Sequence, residues 1–265
     1  MKKTKPAIHL VIDEFTQEAY YPFSSSFGIQ IQKLEDYTTQ PAPTIFALGQ
    51  ENLSIGQKLH AQLPQAFKAK SLITARLNFG EEMPMNQPKH TIIIPYCDDK
   101  KFITWLHFLA GKSVNHIYLD WFVAIKIVPP YTYSQQLLIN AYDNLTILQA
   151  DTIKRSYLEN AVFCSSFKLD YLSRQIYGKT PGRLLRIWRY FVQTARFMDE
   201  EEQLTMQQRR GKSPLRTIAG DYCEALIRLL GISYTQLRKD ATQQHWIVIW
   251  FAAFRKNFNA SYKRK

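Results

Sequence analysis

Along the first half of the chain, apolar positions come in short runs of the kind that form strands. Alternation marks Ile8-His9-Leu10-Val11-Ile12 and Gly28-Ile29-Gln30-Ile31-Gln32, and β-branched runs follow at Thr91-Ile92-Ile93-Ile94 and from Val123 to Val128. Pro and Gly separate them, at Pro41, Pro43, Gly49, Gly80, Pro84, Pro88, Pro95 and the Pro129-Pro130 pair. Phe102 to Ala110 is apolar enough for a buried helix. The pattern predicts a β-rich or mixed N-terminal domain over residues 1–148, with Tyr142-Asp143-Asn144 near its end.

Beyond that point the period changes to that of helices. Thr180 stands as a cap, Pro181 at the first helical position and Gly178 in the turn before it. Leu184, Trp188, Phe191, Ala195 and Met198 step by four and three residues and form one apolar stripe, with Arg186, Arg189, Gln193 and Arg196 opposite. Asp199 to Glu202 then oppose the helix dipole and mark the end. The expected fold class is α+β: the N-terminal domain, followed by an all-α domain over residues 149–265 with a long linker helix. The longest apolar run, Trp246 to Phe254, is nine residues, far short of a bilayer span, so no membrane association is expected.

Charge sharpens this division. Residues 151–265 hold 21 Lys and Arg against 10 Asp and Glu, whereas the first 150 hold 13 against 12. Positive charge gathered into helices is the footprint of a polyanion-binding module, with nucleic acid the leading partner and a membrane surface or an acidic protein the alternatives. A content of 46% hydrophobic and 14% aromatic residues excludes a wholly disordered chain. Cys97, Cys164 and Cys223 share no ligand spacing and read as reduced thiols in a cytoplasmic protein.

Two segments 53 residues apart repeat one pattern. Leu172 to Arg186 and Ala225 to Lys239 each read as a helix, a Gly, a spacer, a Ser or Thr cap and a second helix with Leu four residues after the cap. A Gly turn followed by a capped helix is what a helix-turn-helix needs. The segment from Tyr171-Leu172-Ser173-Arg174 through Gly178-Lys179-Thr180-Pro181 to Leu184-Leu185-Arg186 and Ala195-Arg196-Phe197-Met198 resembles the AraC/XylS family of bacterial transcription regulators. Gly231-Ile232-Ser233 with Leu237-Arg238-Lys239 is similar to the end of that family's second unit. The resemblance covers roughly residues 165–240. The Arg174–Gly178 spacing is about one helical turn shorter than the family's, Tyr234 stands where the second Pro would be, and Gln207 to Pro214 lacks the look of a first helix.

The resemblance implies two helix-turn-helix units joined by a linker helix, and the residues allow two registers. In the family register Phe167 to Tyr177 reads DNA and exposes Lys168, Asp170, Arg174 and Gln175. In the plain register Tyr234 to Ala241 is the second reader and exposes Thr235, Gln236, Arg238 and Lys239. Arg and Gln suit guanine and adenine edges, and Lys suits phosphate. Lys179, Arg183, Arg186, Arg189 and Arg196 would be phosphate contacts or a surface between the units. The N-terminal domain would take a small-molecule effector, form a homodimer, or both. The runner-up is an accessory factor of plasmid or phage replication or transfer, binding nucleic acid or protein, with Tyr171, Tyr177, Trp188, Tyr190 and Phe191 among its basic residues.

Signals for catalysis are weak. Gly111-Lys112-Ser113 and Gly211-Lys212-Ser213 end like phosphate-binding loops, but Leu106 and Met206 occupy the first glycine position. His9, His60, His90, His107, His116 and His245 include no pair at helical zinc spacing, so no metal is expected. Ser24-Ser25-Ser26 lacks a nucleophile-elbow context. Asp98-Asp99-Lys100 faintly resembles a nuclease acid-x-Lys and reads better as a charged turn. A non-catalytic regulator without a cofactor is expected.

Overall fold

The computed structural model describes residues 8–20, 30–84, 87–198 and 218–260. The expectations on Gly28-Ile29, Ser24 to Ser26, Asp199 to Glu202, Gln207 to Pro214 and Gly211 to Ser213 lie outside the described residues.

The chain mixes helix and sheet, with all its described strands in the first hundred residues. These are β1 (His9–Ile12), β2 (Gln30–Lys33), β3 (Thr44–Ala47), β4 (Leu72–Arg76) and β5 (Thr91–Ile94). They form one parallel sheet in the order β2-β1-β3-β4-β5, with His9 opposite both Gln30 and Thr44. Parallel pairing requires crossovers. α1 (Glu14–Tyr20) follows β1, α2 (Leu53–Gln62) and the short α3 (Gln65–Lys68) follow β3, and α4 (Asp99–Leu109) follows β5.

Side chains alternate across the sheet. Leu10, Ile12, Ile45, Ala47 and Leu72 enter the large core with Tyr20 and α4, while Val11, Phe46, Leu48 and Ile73 pack on the other face with Leu59 of α2. This part is therefore of α/β type, not the α+β expected. Both faces are covered, so β3 and β5 are buried at every position and are apolar apart from Thr44 and Thr91 at their starts. Val123 to Val128 is not a strand. Its alternation is present in its burial, but its backbone finds no neighbouring strand, and the Lys126 amide donates instead to the Ile176 carbonyl at 2.7 Å.

Helices follow: α5 (Tyr133–Asp143), α6 (Arg155–Val162), α7 (Ser166–Tyr177), α8 (Pro181–Met198), α9 (Ile218–Leu230), α10 (Tyr234–Asp240) and α11 (Trp246–Ala260). One apolar cluster runs from Leu10 to Phe254 and spans residue 148 without a break. The last helix returns to the sheet. Phe251 meets Trp105 at 5.7 Å and Phe122 at 5.5 Å between ring centroids, and Arg255 donates to the Ile93 carbonyl at the outer strand. Cys97 is buried, Cys164 and Cys223 are half-buried, and all three are free thiols. Among the described residues no helix is long and apolar enough to cross a membrane.

The strand order reverses beside β1, where a doubly wound sheet usually opens a crevice at the carboxyl ends of its strands. Here the chain's own donors fill that place. Asp13 accepts from the Thr16 amide at 3.0 Å, the Gly49 amide at 2.5 Å and the Asn52 side chain at 2.9 Å.

Candidate nucleic-acid interface

α5, α6 and α7 pack on one another as a three-helix unit. Thr132 and Gln135 form a capping box at the start of α5. α6 stops at Phe163, whose φ of 53° reverses the chain, and Ser165 caps α7 by accepting from the Lys168 amide. Gly178, at φ 70°, ends α7 in the conformation that glycine adopts without a Cβ clash. The turn that aims α7 is therefore Phe163 to Ser165. The Gly178 turn picked out by the repeat joins α7 to α8 instead.

One arginine fixes the angle between α6 and α7. Arg155 pairs with Glu159 at 3.0 Å and Asp170 at 3.0 Å, and donates to the Ser166 carbonyl at 2.5 Å. Ser166 in turn donates to Glu159. Asp170, expected at the reading surface, is held in this network.

Leu169, Leu172, Ser173, Ile176 and Tyr177 form the buried side of α7. Lys168, Arg174 and Gln175 are exposed together on its outer side, as the family register expects. Three exposed aromatic residues accompany them: Tyr171 at 57% exposure, named in the accessory-factor reading, and Phe163 and Phe167, each at 85%, which the residue pattern did not assign to a surface. The Gln175 amide donates to the Tyr171 hydroxyl at 2.7 Å. A readable signal existed: with Ser165 as cap, Leu169, Leu172 and Ile176 step by three and four, which sends Phe167 and Tyr171 outward.

α8 divides its basic residues. Arg183 and Arg186 are exposed and line a groove of about 700 Å³ with Tyr190 and, from α9, Glu224 and Arg228. Arg228 pairs with Glu224 at 2.9 Å. Farther along, the face expected to be a free basic surface is docked on residues 147–153. Arg189 donates to the Ile153 carbonyl at 2.6 Å, and Gln193 is buried against Asp151. Arg196 pairs with Asp151 at 2.7 Å and donates to the Ile147 carbonyl at 2.6 Å. Lys179 lies only 7% exposed, and burial beside Arg183 and Lys126 lowers its pKa to about 8. Arg189 and Lys179 therefore stand inside the helix packing, away from the outer face of α7.

The second unit is α9, α10 and α11. Gly231, at φ 73°, turns the chain and Ser233 caps α10. Tyr234 and Leu237 are buried, while Thr235, Gln236, Arg238 and Lys239 are exposed. Gln236 donates to Asp240 at 2.7 Å. Tyr234 donates from its hydroxyl to the Phe197 carbonyl at 2.9 Å, and Tyr222 and Thr194 share a hydroxyl bond of 2.8 Å. These contacts tie the second unit to the end of α8. A proline at residue 234 could make no such bond.

Residues with a catalytic look are engaged in the fold. Asp98 caps α4 through the Lys101 amide, and Asp99 pairs with Arg76 at 2.5 Å. Lys101 sits buried between Asp120 at 2.5 Å and Asp143 at 2.8 Å, linking α4 to the helical part. Burial raises the Asp120 pKa to about 6 against the pull of Lys101. Burial also holds His245 and His60 neutral, with pKa values near 4, and His107 below its ordinary value. Among the described residues no group of three His, Cys, Asp or Glu could hold a metal ion. No family model, curated protein or solved structure matches this chain.

Proposed function

We propose that this protein is a sequence-specific duplex-DNA-binding transcription regulator that acts without catalysis. The outer face of α7 carries the reading. Exposed Lys168, Arg174 and Gln175 stand on a helix whose other side is buried and whose entry angle is fixed by Arg155. A helix held this way enters the major groove, its first turns meeting base edges. Arg183 and Arg186 would follow the adjoining backbone, and Thr235, Gln236, Arg238 and Lys239 of α10 would form the second reading surface. The 18 residues of α8 span about 27 Å between the two units. That is on the scale of the ~34 Å between successive turns of one face of a duplex. The sheet part is where an effector or a second copy would act.

Selection of bound sequences from random duplex DNA with the full chain tests this. A shared motif is expected, with affinity falling steeply as salt rises. Arg174→Ala should relax preference at one base pair at a cost of about 1–3 kcal/mol. Arg186→Ala should weaken all sequences alike and reduce the salt slope by about one unit. Absence of enrichment would overturn the reading. The exposed aromatic side chains favour a second reading, an accessory factor on single strands, which requires single-stranded competitor to displace duplex.

A further inference from the structure

Phe163, Phe167 and Tyr171 follow one another at four-residue intervals through the α6–α7 turn and the first two turns of α7. Each ring points into solvent, at 85%, 85% and 57% exposure. Phe163 also holds a left-handed backbone, with φ 53°, a conformation that disfavours a bulky residue. Nothing in the packing accounts for a phenylalanine there: the strained backbone brings no burial in return. Strain combined with exposed apolar area is a combination that a bound partner explains.

The geometry points to the base edges of duplex DNA, and in particular to the C5-methyl groups of thymine, as what this ridge meets. The inference rests on the DNA-binding reading and specifies its chemistry. Lys168 and Arg174 flank the rings with positive charge, and Asp170 is withdrawn into its pair with Arg155, so the surroundings suit a polyanion. Phe167 stands in the first turn of α7, the part of a reading helix that reaches the groove floor. There the thymine methyl is the apolar feature, and Phe is among the side chains that contact it. Tyr171, oriented by Gln175, stands one turn along the same ridge. A narrow ridge on a helix suits a groove about 12 Å wide. Stacking on single strands uses a groove that tracks the backbone.

The test uses the full chain and a duplex recovered from random DNA. Its affinity is compared with that of the same duplex carrying uracil for thymine, which removes each methyl and keeps every base pair. Wild type should lose about fourfold for each methyl it contacts. Phe167→Ala should bind the thymine duplex more weakly and no longer distinguish the two, whereas Ile55→Ala, on α2, should behave as wild type. Phe163→Gly should raise the melting temperature by about 1–3 °C while weakening DNA binding, because it relieves the backbone and removes the ring.

Equal wild-type affinity for both duplexes would overturn the inference and leave the regulator reading standing. Failure to recover any duplex would overturn both. Tighter binding to a thymidine-rich single strand, or a change of oligomeric mass in Phe167→Ala, would also overturn it, by assigning the ridge to stacking or to a second copy.

Discussion

α7 and α8 are adjacent helices, both amphipathic and both carrying basic residues at helical spacing, yet their charges serve different ends. On α7, Lys168 and Arg174 stand in solvent while the single acid, Asp170, is drawn into the helix packing. On the second half of α8, Arg189 and Arg196 reach carbonyls of Ile153 and Ile147 and fix the 147–153 segment. What separates the two cases is a loop whose carbonyls can accept a further bond within reach: Ile147 already accepts from the Ala150 amide and takes Arg196 as a second donor. A guanidinium has five donors and satisfies loop carbonyls at little desolvation cost when its stem lies along the surface. A basic stripe therefore reports a binding face only where no loop lies against it.

The largest expected effect is at the core of α8. Trp188 is fully buried and donates to the Ile117 carbonyl, so Trp188→Ala should destabilise the protein by about 3–5 kcal/mol in chemical denaturation. Arg189→Ala should follow at about 1–3 kcal/mol, since it leaves the Ile153 carbonyl without its donor. On this point the helical face alone misleads, because it places Arg189 among the freely replaceable residues. A neutral result would restore that view and dissolve the contrast between the helices.

Lys179 sharpens the same contrast at a smaller scale. Its folded-state pKa, about 8, lies below the ordinary lysine value of 10.5, so at neutral pH the buried charge disfavours the folded state. Lys179→Met should therefore gain roughly 1 kcal/mol at pH 7 and keep its sequence preference on DNA. The gain should fade as pH rises from about 8 toward 10.5, where wild type loses its proton on folding. Smallest of all, Arg174→Ala should change stability by no more than about 0.5 kcal/mol. A larger loss would place Arg174 with the packing residues and remove it from the reading face.

Some of this was legible in the residues and some was not. Thr180-Pro181 and the stripe from Leu184 to Met198 marked α8 because capping chemistry and helical period are local properties. Ser233 marked α10 for the same reason. β3 and β4, Thr44–Ala47 and Leu72–Arg76, left no polar–apolar alternation to find, because strands covered on both faces bury successive residues alike. Val123 to Val128 alternates and is still no strand, since pairing depends on a neighbour that local pattern cannot supply. On α7, the exposure of Lys168, Arg174 and Gln175 was expected from the family register. The fate of Arg189 and Arg196 depended on a loop dozens of residues earlier in the chain.

The return of α11 to the sheet governs how the molecule should come apart. Trp105, Phe122 and Phe251 belong to one aromatic stack drawn from α4, the segment after it and the last helix. Arg255 closes it against Ile93. Cutting the chain near residue 148 would strand rings on both pieces and remove the Arg255 donor from the Ile93 carbonyl. Heat should therefore melt the near-neutral and basic halves in a single cooperative transition, and a ligand bound at either end should raise that one transition for the whole chain.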